Sequence, residues 1–233
     1  MDIQSKGIVI IVGNYGSGKT EIAINLAVYR KNQGIDVRVA DIDLVNPYFR
    51  TREARKQLAE LGIEVILPPD QYMHADLPIL SRSISGLIRN PAALTILDVG
   101  GNDAGATVLA ALADAFKTGS YQMLMVVNPF RPLTQTLDGV IKIKREIENA
   151  SKLCITGLIG NSNLIEESTA EIICSGYAFM AEISDKLVLP IEFITVPVHL
   201  LNKLKREQFL YPILPVKRQL DPPWKHAVSL KET

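Results

Sequence analysis

Apolar positions along this chain fall into two alternating rhythms: short continuous runs, and longer stretches with apolar residues at helical spacing. Residues 8–12 form an apolar run that leads into a glycine-rich loop. Residues 21–31 carry Ile22, Leu26 and Tyr29 at helical intervals, with Gly34 as a stop signal. Residues 37–41 predict a strand ending at Asp41, 51–61 a helix closed by Gly62, and 63–67 a short strand ended by Pro68 and Pro69. Segment 70–78 reads as irregular and 79–89 as helical. Further strands are predicted at 94–99, 123–127, 153–159 and 191–196, alternating with helices at 106–116, 133–149 and 166–186.

Strands with apolar interiors, separated by helices, imply an α/β fold with a mostly parallel sheet flanked by helices on both faces. In such sheets functional groups collect at the carboxyl ends of the strands. Asp41, Asp98, Asn128, Asn161 and Pro197 all fall at predicted strand ends. No repeat, low-complexity tract or linker divides the chain, so 1–233 reads as a single domain. Its core covers about 7–198, with an extension over 199–233.

Composition narrows the function classes. Hydrophobic residues make up 47% and charged residues 21%, which suits a folded domain. Twenty-five Lys and Arg balance twenty-five Asp and Glu. That neutrality argues against a nucleic-acid partner, whose recognition rests on a basic face. No apolar stretch approaches the roughly 20 residues that span a bilayer. The proline-broken tail from Asp221 lacks an amphipathic period, so no membrane partner is expected. The two cysteines, Cys154 and Cys174, form no Cys-x-x-Cys pair and are expected as small core residues. No secretory signal is read, and the expected compartment is the cytoplasm. His74, His199 and His226 share no metal-ligand spacing.

The chemistry begins at Gly13-Asn14-Tyr15-Gly16-Ser17-Gly18-Lys19-Thr20, which matches G-x-x-x-x-G-K-[ST] after a predicted strand and before a predicted helix. Glycines there let backbone N–H groups face phosphates, and the helix N-terminus adds positive potential. Lys19 is expected to reach the β- and γ-phosphates, Thr20 to hold Mg2+, and Glu21 to follow on the nucleotide-binding segment. Asp98 ends a buried strand, as a carboxylate serving Mg2+ or one of its waters does, and Gly101 lies three positions on, placed to sense the γ-phosphate. Asp41 and Asp43 stand at i and i+2, on one side of an extended chain, so one is placed to orient a water and the other to serve the metal shell.

A phosphate loop, an Asp-x-Asp after the second strand, and a strand ending in Asp with glycines behind it resemble the MinD/ParA/CobQ/CobB (CbiA-type) nucleotide-binding family, over nearly the whole chain to about Val198. The resemblance implies a parallel sheet flanked by helices and ATP hydrolysis, commonly by a dimer formed around the nucleotide. By position it implies Asp43 as the residue aligning the attacking water, Asp41 as part of the magnesium environment, and Asp98 as the Walker B carboxylate. It also implies Asn161 and Pro197 at the base. One departure stands out: Asn14 occupies the place of the family's signature lysine, so a dimer sharing catalytic lysines is not supported. Arg50, Arg52 and Arg131 are candidate replacement cations.

ATP is favoured over GTP because residues 160–164 lack the Asn/Thr-Lys-x-Asp element that reads guanine, and an asparagine amide suits adenine's edge. The expected cofactors are ATP and Mg2+. The expected function is a slow ATPase that acts as a nucleotide-driven switch on a client protein, with an ATP-dependent homodimer as a further expectation. Tyr48 and Phe49 are candidates for the partner-facing segment. The alternative is an ATP-dependent amidoligase or carboxylate-activating synthetase of the CobQ/CobB/dethiobiotin synthetase type, with 70–78 as the substrate segment.

Overall fold

The computed structural model describes residues 2–43, 51–67, 82–117 and 119–220. Arg50, Tyr48, Phe49, His74, His226 and the segment 70–78 lie outside the described residues.

Eight strands form one parallel sheet: β1 (Gly7–Gly13), β2 (Val37–Asp41), β3 (Glu64–Ile66), β4 (Leu94–Asp98), β5 (Tyr121–Val127), β6 (Gly157–Gly160), β7 (Ile191–Pro197) and β8 (Ile213–Val216). Their order is β3-β2-β4-β1-β5-β6-β7-β8, with every pairing parallel. The central strands are covered on both sides, which is why their sequences read as unbroken apolar runs. Along β1, Ile8, Ile10 and Val12 join the core on one face, while Val9 and Ile11 join the core on the other.

The connecting helices supply the two covers. α1 (Lys19–Asn32) and α2 (Arg55–Glu60) pack on one face through Ile22, Leu26 and Leu58. The other face takes α3 (Arg82–Arg89), α4 (Asn102–Ala110), α5 (Ala113–Phe116), α6 (Leu137–Ser151) and α7 (Ala170–Leu187), through side chains such as Ile84, Leu109, Phe116, Ile143 and Met180. Thr136 and Thr169 cap α6 and α7, each accepting a backbone N–H three residues on.

Four features depart from the sequence reading. β8 extends the sheet beyond residue 198; Pro215 interrupts its apolar pattern, and a proline is tolerated there because the strand is at the sheet edge. α6 begins at Leu137 rather than 133, because Leu133 takes a left-handed φ of 72° that a helix does not admit. β6 begins at Gly157, with 153–156 outside the strand. Cys154 and Cys174 are both exposed rather than in the core, Cys154 ahead of β6 and Cys174 on the outer side of α7.

Candidate nucleotide site

β1 ends at Gly13 and α1 starts at Lys19, so residues 14–18 form a loop between a buried strand and a helix N-terminus. That is the arrangement in which backbone N–H groups and the helix dipole face an anion. Gly18 closes the loop with φ 95° and ψ 20°, a conformation open to glycine. A Cβ there would also stand 2.4 Å from Asn161 Nδ2. The approach is close because Asn161 Nδ2 donates to the Ser17 carbonyl at 2.6 Å, while its Oδ1 accepts from Thr195 Oγ1 at 2.5 Å. The loop is thus tied to the ends of β6 and β7.

Lys19 is 6% exposed and its Nζ donates to the Asn14 carbonyl at 3.1 Å, inside the loop it serves. Burial draws its pKa below the ordinary lysine value, opposed by the Asp98 and Asp43 carboxylates nearby. Gly101, the residue before α4, lies against the same loop. A Cβ on it would meet Tyr15 Cα at 2.9 Å and Lys19 Nζ at 3.1 Å. The structure therefore brings Lys19, Asp43, Asp98 and Gly101 together.

Asp98 ends β4, in register with Asp41 of β2 and Ile11 of β1. Its Oδ2 accepts from Thr51 Oγ1 at 2.8 Å, while its buried Oδ1 has no hydrogen-bond partner among the described residues. Burial, then the Asp41 charge, push its pKa up to about 7, against the lowering influence of Thr51, Lys19 and Thr20. An orphaned carboxylate oxygen beside a threonine hydroxyl fits a divalent cation. Magnesium takes one or two protein oxygens and completes its shell with water and phosphate. Among the described residues no group of three or more His, Cys, Asp or Glu side chains is placed to hold a metal.

The other predicted residues are placed as follows. Asp41 is fully buried and clasped by Arg52. Nε and the backbone N–H of Arg52 reach Oδ2 at 2.9 and 3.0 Å, and Nη2 reaches Oδ1 at 3.3 Å. Asp43 is 2% exposed, and its carboxylate crowds Gly100, where a Cβ would stand 2.7 Å from Oδ1. Asn14 turns its amide to the backbone: Nδ2 donates to the Pro132 carbonyl at 2.9 Å and Oδ1 accepts from the Tyr15 N–H at 2.8 Å. Tyr15 is exposed, and Ser17 Oγ is buried without a hydrogen-bond partner among the described residues. Arg131 sits in the turn beside Pro132, its Nε buried and likewise without a hydrogen-bond partner among the described residues. Pro197 ends β7 and pairs in register with Val216 of β8.

Glu21 faces away from the phosphate loop toward the C-terminal strand exit. Its Oε1 accepts the Gln219 backbone N–H, and burial raises its pKa. One turn on, Asn25 exchanges two hydrogen bonds with the Lys217 peptide, at 2.9 and 3.0 Å. Thr51, Thr195 and the 217–220 segment are site neighbours that the sequence reading does not single out. Thr51 alone carried a signal, as a hydroxyl just ahead of the helix that follows the Asp41–Asp43 element.

No family model matches this chain, and no curated protein matches it. Solved structures do. The cell division protein FtsY from Thermotoga maritima is 19% identical with a TM-score of 0.60, the match covering 84% of this chain and 65% of that one. FtsY from Mycoplasma mycoides is 19% identical at TM-score 0.58, covering 84% and 62%. The signal recognition particle 54 kDa protein from Aeropyrum pernix K1, in complex with GDP, is 18% identical at TM-score 0.57, covering 83% and 42%. This chain thus spans less than two thirds of the length of each. At this identity the likeness establishes architecture: the chain shares their α/β fold, a parallel sheet with a glycine-rich loop between the first strand and the first helix.

Proposed function

We propose that this chain is a Mg2+-dependent ATP-binding protein and slow ATPase that works as a nucleotide-driven switch on a client protein. The observation that carries the reading is the convergence of Lys19, Thr20 and Asp98, with its orphaned Oδ1, at the N-terminus of α1 behind a glycine loop. Each group has a task the geometry suits. The loop N–H groups and Lys19 hold the phosphate chain, and Thr20 and Asp98 take the metal. Gly101 admits the γ-phosphate close to the backbone, and Asp43 orients water. When bound, Mg2+ would supply neutralisation of the phosphate charge, held by Thr20 and Asp98. Asp41 belongs to this reading as the outer magnesium environment, set by its pairing with Arg52.

Slow turnover follows from charge. Asn14 brings no cation to the γ-phosphate side, and phosphate-loop switches without a supplied cation hydrolyse slowly. A client protein, or a second copy bound in an ATP-dependent homodimer, is the source of acceleration in this reading. The balanced charge favours a protein over nucleic acid. Among the described residues no helix is long and apolar enough to cross a membrane. ATP rather than GTP is the reading because residues 160–164 hold neither the lysine nor the aspartate of a guanine-reading element. The GDP complex of the signal recognition particle protein makes GTP the necessary comparison. The test is phosphate release from the purified chain with ATP, and with GTP in parallel, with and without Mg2+, together with light scattering. Mg2+-dependent, ATP-selective slow release supports the proposal, and release from GTP alone contradicts its base assignment.

A further inference from the structure

The turn between β5 and α6, residues 128–136, is pinned at its root and at its tip. At the root Asn128 Oδ1 accepts the Phe130 N–H at 3.0 Å. The Asn128 carbonyl accepts the Arg131 N–H at 3.1 Å and the buried Thr134 hydroxyl at 2.7 Å. At the tip the Pro132 carbonyl accepts Asn14 Nδ2 at 2.9 Å, so the turn lies against the phosphate loop. Leu133 carries the strain of this path: its φ of 72° is costly for a residue with a side chain, and a Cβ on Gly139 would collide with its carbonyl. Such strain persists only where the surroundings enforce it, and it gathers at ligand clamps and switch segments. Arg131 stands between the two pins. Among the described residues its buried Nε has no hydrogen-bond partner and its guanidinium forms no ion pair. A buried donor left unpaired is costly and asks for a reason.

We propose that Arg131 is the group by which this site tells a nucleoside triphosphate from a diphosphate: its guanidinium binds the terminal phosphate, and Asn14 is the positioning residue that holds its turn in place. The inference rests on the nucleotide reading above and deepens it by naming what reads the nucleotide state. Position supports it. Asn14 Oδ1 accepts the Tyr15 N–H at 2.8 Å while Nδ2 holds Pro132, so one amide joins the two segments. Tyr15 in turn lies beside Gly101 and Lys19: a Cβ on Gly101 would stand 3.0 Å from the Tyr15 nitrogen and 3.1 Å from Lys19 Nζ. Arg131 therefore starts one residue from a contact on the γ-phosphate side of the loop. Charge supports it as well. Arg52 is committed to Asp41, and Lys19 is the cation inside the loop. A triphosphate carries more negative charge than Lys19 and one Mg2+ balance. A planar guanidinium binds phosphate through two parallel N–H bonds, and Arg131 has no carboxylate among the described residues to give up first. A contact made alike in the bound triphosphate and in its transition state sets affinity rather than rate, in keeping with slow turnover.

The experiment titrates ATP and ADP, each with Mg2+, into wild type, Arg131→Ala, Arg131→Lys, Asn14→Ala and the double alanine variant by calorimetry. GTP and GDP serve as the pair if wild type takes those instead, and far-UV circular dichroism checks that each variant is folded. Arg131→Ala is expected to weaken ATP about tenfold and ADP by less than about twofold. Arg131→Lys is expected to fall between the two, because it keeps the charge without the fork. Asn14→Ala is expected to lower the ATP-to-ADP affinity ratio as well, and the double variant to lower it no further than Arg131→Ala alone. A merely structural role for either residue would leave that ratio unchanged. Equal weakening toward ATP and ADP, or an unchanged ATP affinity in Arg131→Ala, overturns the proposal, and additive losses in the double variant overturn the positioning role of Asn14. If wild type binds no nucleotide, or Lys19→Ala binds as wild type does, the nucleotide reading itself fails, a result distinct from failure of the Arg131 contact alone.

Discussion

Arg52 closes on Asp41 from three atoms at once, with Nε 2.9 Å from Oδ2, its own backbone N–H 3.0 Å from the same oxygen, and Nη2 3.3 Å from Oδ1. Asp41 is wholly buried and the Arg52 side chain is 13% exposed, so this pair is shielded from solvent. Removing one partner leaves a buried charge uncompensated, at a cost of about 3–5 kcal/mol. Arg52→Ala is accordingly expected to lower unfolding free energy by an amount of that order, and Arg52→Lys to recover part of it through a single contact. Urea denaturation of the three proteins measures this. A loss below about 1 kcal/mol would place the pair among ordinary surface ion pairs.

Asp98 sets a pH dependence whose sign can be worked out. Its pKa in the folded, metal-free protein is about 7, above an ordinary value of 3.8, because of burial and the neighbouring Asp41. Between those values the folded state keeps a proton that the unfolded state has released. Stability of the metal-free protein therefore falls as pH rises through that window. In chelator, unfolding free energy is expected to be lower at pH 7.5 than at pH 5 by on the order of a few kcal/mol. Asp98→Asn is expected to flatten the profile. A wild-type stability that rises over the same range would contradict this origin.

Gly18 and Asn161 approach each other closely at the glycine-rich loop. A Cβ at position 18 would stand 2.4 Å from Asn161 Nδ2, and the φ of 95° resists any side chain. Gly18→Ala is expected to reduce nucleotide affinity at least about 100-fold, and Asn161→Ala about tenfold through loss of the anchor on Ser17. The double variant is expected to bind better than Gly18→Ala alone, since the clash is gone while the backbone strain remains. Calorimetric titration of the four proteins checks it, and strictly additive losses would mean the two residues do not meet.

How much of this was legible in the sequence follows a physical divide. Local patterns carried the strand exits: Asp41, Asp98 and Pro197 are the last residues of their strands, and Asn128 and Asn161 directly follow β5 and β6. Contacts between distant segments left no pattern to read. Glu21 sits directly behind Thr20 and reads as part of the nucleotide segment, yet its carboxylate meets Gln219, 198 positions away. Arg52 reads as a free cation for the γ-phosphate, whereas the fold commits it to Asp41, 11 residues earlier. β8 gives almost no periodic signal, since its four residues are interrupted by Pro215. Average burial habit points cysteines to the core, but it does not say which side of α7 faces the sheet at Cys174 or how the segment ahead of β6 runs at Cys154.

Asp43 is the residue at which the proposed mechanism separates binding from turnover. It is 2% exposed, beside Gly100 and near Lys19, in the position proposed to orient water rather than to hold phosphate. Asp43→Ala is expected to keep ATP affinity within about threefold while cutting hydrolysis by about 100-fold or more. Single-turnover phosphate release, run alongside equilibrium binding, reads both. Unchanged turnover would remove Asp43 from the mechanism.

Binding of a nucleoside triphosphate by the loop from Gly13 to Thr20 through Lys19 is tested most directly by calorimetric titration of ATP with Mg2+ into wild type and Lys19→Ala. Saturable one-site binding by wild type is expected, lost by at least about 100-fold in the folded variant. Binding of equal strength by both proteins, or none by wild type with either ATP or GTP, would contradict it.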